Sequence, residues 1–378
     1  MNRRHFGALH IVAACALAWL SFSVLAKPDV DGMIFADGFE SAAVQFRGGS
    51  NLIWYDVDAA CVAEPQAILT DYHEPGVRPR VLDTLAAMFG AGQRRVSVII
   101  FHAHGGRANP DGTVNELVLD STGGMLDKQF IYNLKQLLAD IDAAGFEEVL
   151  LRFAPQWINN PQGWKDDAGF DEALFAENWS IVRNIRAEIA GSGISYRIDL
   201  MVEGLPRARI IAGQVIADRP DNEEWTEYAQ RLWEKYVDAF GTSDTIGFSS
   251  VAGPDLKKVD ARVEHLNTVY RVHGEIRRPD VIGVDLYPAN GLDEGQFFTK
   301  WSEELDREGL TQLPIIIPEV FYDDATAAAS LQSAMDQTRR AVPFLLQWPL
   351  QRGAGCYPGD PVTVPEPDSF QHYLRHGF

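Results

Sequence analysis

Cysteine is scarce in this chain, with three in 378 residues, which excludes a disulfide-knit scaffold or a cysteine-rich metal module. Basic residues are also in short supply: 33 Lys and Arg stand against 53 Asp and Glu, a formal charge of −20. That balance argues against a nucleic-acid or anionic-membrane partner. Beyond residue 26 no segment is long and apolar enough to span a bilayer. No glycine-rich phosphate loop follows a strand pattern. "AMFGAG" at 87–92 ends a helical pattern instead of opening one, so no nucleotide cofactor is expected.

What is present begins with an export-type segment. Arg3 and Arg4 precede an apolar stretch from Phe6 to Leu25, closing on "VLA" before Lys27, so residues 1–26 are expected to be a signal peptide. "RRHF" also has the form of a twin-arginine signal, and "VAAC" that of a lipoprotein cleavage site. Removing this segment leaves 31 basic and 53 acidic residues, a charge of −22. A periplasmic or secreted monomer with no stable membrane association is expected. Residues 27–50, rich in Gly and Asp, read as a leader, and 51–378 as the folded domain.

From Asn51 onward short apolar runs alternate with amphipathic stretches of about 15–20 residues, the pattern of βα units around a parallel sheet. The strand candidates are 51–57, 95–102, 147–153, 194–202, 244–250, 280–287, 313–319 and 343–348, with a helical pattern after each. Eight such units make a (β/α)8, or TIM, barrel the economical fold, with a doubly wound open sheet as the alternative. Cys61 follows the first candidate strand and Cys356 the eighth. A closed barrel puts those strands side by side, so a Cys61–Cys356 disulfide is expected.

Barrel enzymes carry their reactive groups at the C-terminal ends of the strands. Reading only those ends gives Asp56, His102 and His104, Arg152 with Trp157, Glu203, Ser249 and Ser250, Asp285 and Tyr287, Glu319 with Tyr322, and Gln347 with Trp348. His102 and His104 share a strand face and raise a metal-dependent hydrolase as one possibility. The histidines and aspartate that would complete such a site on later strands are missing, so no metal is expected. "AEN" at 176–178 falls in a helical pattern and is set aside.

Glu203 in "LMVEGLP", Tyr287 in "VDLYP", Glu319 in "IIPEV" and Trp348 in "LLQWP" occur in an order that resembles the clan of (β/α)8 retaining glycoside hydrolases with cellulase-like and mannanase-like members. The resemblance spans about residues 51–376. It implies Glu203 as acid/base, Glu319 as nucleophile, and Tyr287 and Arg152 as donors to Glu319. It further implies Trp348, Trp157, Tyr322, His102, His104 and Asp56 as contacts to a carbohydrate, with no cofactor. Two carboxylates are needed because one must protonate the leaving oxygen while the other stabilises the anomeric centre from the opposite face. The clan has Asn before the first glutamate; this chain has Val202. A carbohydrate-binding barrel without catalysis is the alternative, and a bland pairing of Glu203 with Arg207 or Arg209 is open.

Overall fold

The computed structural model describes residues 48–57, 63–66, 68–106, 118–166, 169–251, 255–352 and 366–378, with the backbone alone at 54–57, 63–66 and 165–166. The signal segment, Cys61 and Cys356, and the side chain of Asp56 lie outside the described residues.

In chain order the elements are β1 (Gly48–Asn51), β2 (Trp54–Val57), β3 (Ala63–Gln66), α1 (Val77–Gly90), β4 (Arg95–Ala103), β5 (Leu119–Asp120), α2 (Lys128–Ala143), β6 (Glu148–Pro155), α3 (Glu172–Ile189) and β7 (Ser195–Asp199). Then come β8 (Ala208–Ile211), β9 (Gln214–Pro220), α4 (Glu223–Phe240), β10 (Thr245–Gly247), β11 (Ser250–Val251), α5 (Leu256–Val269), β12 (Arg271–Val272) and β13 (Glu275–Ile276). The chain closes with β14 (Ile282–Asp285), α6 (Glu294–Arg307), β15 (Ile315–Ile316), α7 (Ala325–Thr338), β16 (Leu345–Gln347) and α8 (Gln371–Arg375).

The result is an α/β fold around a curled parallel sheet. One path of parallel pairings runs β10–β7–β6–β4–β1–β16, and another runs β11–β14–β15. A parallel bridge between Ile317 and Leu345 joins β15 to β16, supported by the Leu346 N–H donating to the Ile317 carbonyl at 2.8 Å. Only Phe248 and Ser249 separate β10 from β11, so the same stretch of chain serves β7 on one side and β14 on the other.

The strands are apolar on both faces because helices cover the outside and the sheet's own side chains fill the inside. Every residue of β14, β15 and β16 is buried. The helices are amphipathic: α4 buries Tyr228, Leu232, Trp233, Tyr236 and Val237 along one stripe, each worth about 1.5–3 kcal/mol of transfer free energy. Helices α2 to α7 each start on a side-chain cap, from Asp127, Asp171, Asn222, Asp255, Asp293 and Asp324. Those caps satisfy backbone N–H groups that have no partner within the helix.

The first strand differs from the one expected. Trp54–Val57 leaves the parallel sheet and forms an antiparallel hairpin with Ala63–Gln66; Gly48–Asn51 takes its place between β16 and β4. Glycine is required there. A Cβ on Gly49 would lie 1.7 Å from the Arg95 carbonyl oxygen, and one on Gly48 would lie 2.4 Å from the Phe370 ring.

Candidate active site

Arg152 organises the carboxyl ends of the strands. It sits within β6, level with Asp199 on β7, and is fully buried. Its Nε donates to Asp199 Oδ2 at 3.0 Å, and Nη1 to Glu319 Oε1 at 2.5 Å. Its Nη2 reaches both Asp285 oxygens, at 3.2 and 3.0 Å, and Ser249 Oγ at 3.2 Å. All three donor nitrogens are thus engaged inside the protein. Arg152, expected also to contact substrate, instead lies beneath the carboxylates, because a guanidinium's donors in a fixed fork suit several buried acceptors at once.

One positive charge faces three carboxylates, so the cluster holds more negative charge than its cation balances. Burial pushes Asp199 and Asp285 upward, against the lowering effect of Arg152. For Asp285 the charges of Glu319 and Glu203 push further in the same direction. Asp199 gains support from the Ser249 N–H at 2.9 Å and the Met201 N–H at 3.3 Å.

Glu319 stands three residues beyond β15 and is 8% exposed. Its Oε1 takes the Arg152 donor and its Oε2 the Tyr287 hydroxyl at 3.1 Å. Tyr287 packs edge-on to Phe321, with centroids 5.1 Å apart. Burial, then the Glu319 charge, holds the Tyr287 hydroxyl protonated far into the alkaline range. Glu319 is thus an acceptor gripped by one charged and one neutral donor.

Glu203 lies in a turn beyond β7 at φ +50°, a left-handed conformation that is uncommon outside glycine. Its N–H donates to Ser249 Oγ at 2.9 Å, and its carbonyl accepts from Gln162 Nε2 at 3.3 Å. Burial first, and the charge of Glu319 second, raise the proton affinity of its carboxyl. The pairing with Arg207 does not form: Arg207 binds Asp221 at 2.7 Å, and Arg209 lies on the exposed edge of β8.

The remaining candidates divide. Trp348 is half-buried, fixed by its N–H to the Val320 carbonyl at 2.7 Å. Trp157 is half-buried at φ +48°, beside an exposed Ile158. Tyr322, expected to stack on a sugar, has its hydroxyl engaged by the Glu366 carbonyl at 2.8 Å, Asp368 at 2.9 Å and the Ser369 N–H at 3.1 Å. The two histidines part company. His102 is buried, its pKa pushed down to about 4 by desolvation, and its Nδ1 has no partner among the described residues. His104 turns outward to Glu177, 2.9 Å from its Nδ1. They do not converge on a common ligand position.

Glu177 is the residue that the sequence concealed. It accepts from Ser121 Oγ at 2.7 Å, Asn159 Nδ2 at 3.0 Å and the Gly123 N–H at 3.0 Å as well as facing His104. The neighbouring Asn178 pairs with Asn159. Together they clamp the loops after β4 and β6 onto α3. The signal was the polar pair Glu177–Asn178 on the otherwise apolar face that carries Phe175, Ile181 and Val182.

No protein-family model and no curated protein matches the chain. Solved structures do. A GH5_18 protein from Streptomyces cattleya in complex with Manb1-4GlcNAc superposes with a TM-score of 0.53 at 12% identity, over 87% of this chain and 78% of that one. A family 5 xyloglucanase from Paenibacillus pabuli, in complex with ligand, gives 0.50 at 10% identity over 89% and 99%. The chain spans about half the length of an exo-beta-1,4-mannosidase from Opitutaceae bacterium strain TAV5, covering 51% of it with 80% of its own residues at 14% identity and a TM-score of 0.47. At these identities the likeness establishes the fold, a (β/α)8 architecture of the kind found in glycoside hydrolase family 5.

Proposed function

We propose that this protein is an exported glycoside hydrolase that cleaves O-glycosidic bonds of a poly- or oligosaccharide with retention of anomeric configuration. The observation that carries the proposal is the asymmetry of its two glutamates. Glu319 is held as an acceptor by Arg152 and Tyr287, while burial and the charge of Glu319 favour the protonated form of Glu203.

In this reading Glu203 gives its proton to the glycosidic oxygen as the bond to the anomeric carbon breaks, and Glu319 attacks that carbon from the opposite face. Glu203, now ionised, takes a proton from water, whose oxygen displaces Glu319 and restores the free sugar. Arg152 and Tyr287 keep Glu319 oriented before attack. Trp348 and Trp157 would line the sugar site. The protein would leave the cytoplasm on the segment 1–26 and act as a monomer; among the described residues no helix is long and apolar enough to cross a membrane.

Purified protein screened on a broad glycan panel beside Glu319→Gln and Glu203→Gln tests the proposal. Loss of turnover in both is expected, with configuration retained in the wild-type product. Unchanged activity in both variants would sink the assignment. A second reading, a carbohydrate-binding barrel without catalysis, is favoured by one observation: Val202 precedes Glu203 where the clan it resembles has a polar side chain. Glycan binding without turnover would select it.

A further inference from the structure

We propose that Ser249 is a positioning residue that ties Glu203 to the Arg152–Glu319 pair; the proposal rests on the reading of these glutamates as acid/base and nucleophile. Ser249 occupies the break between β10 and β11, where the chain changes neighbours from β7 to β14, and it is fully buried. It bonds in four directions. Its N–H donates to Asp199 Oδ1 at 2.9 Å, and its carbonyl accepts from the Leu205 N–H at 3.0 Å. Its Oγ accepts from the Glu203 N–H at 2.9 Å and from Arg152 Nη2 at 3.2 Å.

The hydroxyl therefore stands between the group that orients Glu319 and the backbone that carries Glu203. Glu203 is left-handed at φ +50°, a conformation that persists only where its surroundings over-determine it. Here the determinants are the two bonds from Ser249 to the ends of the segment 203–205. Removal of Oγ leaves a Glu203 N–H without its acceptor and lets the turn relax toward negative φ, carrying the carboxyl off its line with Glu319. The residue is small for a packing reason: a Cβ on Gly283 would already approach the Ser249 Cβ to 3.3 Å. Alanine removes the hydroxyl without adding volume, and cysteine restores a weak acceptor of similar shape.

The test compares wild type, Ser249→Ala and Ser249→Cys by kinetics on a hydrolysed glycan and by amide hydrogen exchange. In Ser249→Ala, kcat falls about 10- to 100-fold, the scale of a sub-ångström to 1 Å misplacement, while KM changes less than about threefold. Cysteine recovers part of kcat. The Glu203 amide exchanges at least about tenfold faster in Ser249→Ala, and the Leu205 amide, bonded to a backbone carbonyl, does not. An active wild type with Ser249→Ala within twofold of its kcat, or with an unchanged Glu203 amide, overturns the role of Ser249 alone. A wild type that turns over no glycan overturns the reading beneath it as well.

Discussion

Replacing Arg152 by methionine keeps the unbranched apolar stem of the side chain and deletes the sole cation that Asp199, Asp285 and Glu319 share in this cluster. Breaking one buried ion pair leaves an uncompensated charge at about 3–5 kcal/mol. Three carboxylates cannot stay ionised together, so protons must be taken up. Protonating an ordinary carboxyl at pH 7 costs about 4 kcal/mol, at about 1.4 kcal/mol per pH unit. Asp199 and Asp285 already lie above the ordinary range, which lowers that figure for them. The expected loss is about 3–5 kcal/mol at pH 7. In the variant these acids have folded pKa values further above their unfolded ones. Their contribution to stability is present below the unfolded pKa and lost as pH rises through the folded one. The destabilisation therefore shrinks on acidification, to less than about 2 kcal/mol at pH 4.5. Urea unfolding of Arg152→Met and wild type at pH 7 and 4.5 measures both values. A loss below about 1 kcal/mol at pH 7, or an equal loss at the two pH values, refutes the account of Arg152 as the counter-charge of the cluster.

Glu177→Ala strands the Ser121, Asn159 and Gly123 donors and should destabilise by about 2–4 kcal/mol in denaturant titration. Its hydrogen bond with Glu177 raises His104, so the His104 contribution is full below the ordinary value of 6.5 and disappears as pH rises through the raised one. Burial opposes ionisation of Glu177, yet His104, Ser121 and Asn159 together lower it; its contribution is lost as pH falls through that lowered value. Wild type should therefore exceed His104→Ala most between about pH 4.5 and 6.5, and a difference that grows above pH 8 would contradict this. Gly247→Ala puts a Cβ 2.4 Å from the Tyr270 hydroxyl at φ +69°, and thermal unfolding should report a loss of about 2–4 kcal/mol. In Glu319→Gln the carboxyl of Glu203 loses the nearby charge, and its carbon-13 titration should move to lower pH; an unmoved titration would mean that the two glutamates do not sense one another.

Much of this arrangement was legible because parallel strands buried on both faces read as continuous apolar runs, and a residue with a polar group at such a run's tip stands out. Glu319 after "LPIII" and Tyr287 after "VIGVDL" are of that kind. The first strand was illegible for the opposite reason. "GGSN" looks like a linker, since its glycines serve the close approach of β16 and β4, whereas "WYDV" has the aromatic and β-branched character of a strand and forms a hairpin instead. The β8–β9 hairpin escaped notice although Ala212 and Gly213, both at positive φ, form the two-residue turn such hairpins favour. Arg152 was placed at the nucleophile, but its other partners were beyond reach: Asp199 and Asp285 lie 47 and 133 residues away. The Glu177 network was hidden likewise, because helical periodicity marks which face is buried and does not say that a loop will deliver donors to it.

β1 meets its two neighbours at very different times. One of them, β4, follows within about 45 residues, but the Gln347 amide that caps Ser50 is 297 residues away. Closing a loop of that length carries an entropy near 5 kcal/mol, about (3/2)RT ln n, that no local contact offsets. During synthesis the strand thus waits with one open edge while the six intervening units emerge. The last seam of the sheet cannot close before β16 is made, so β1 keeps an unpaired edge for most of synthesis and the fold completes only when the final strand emerges.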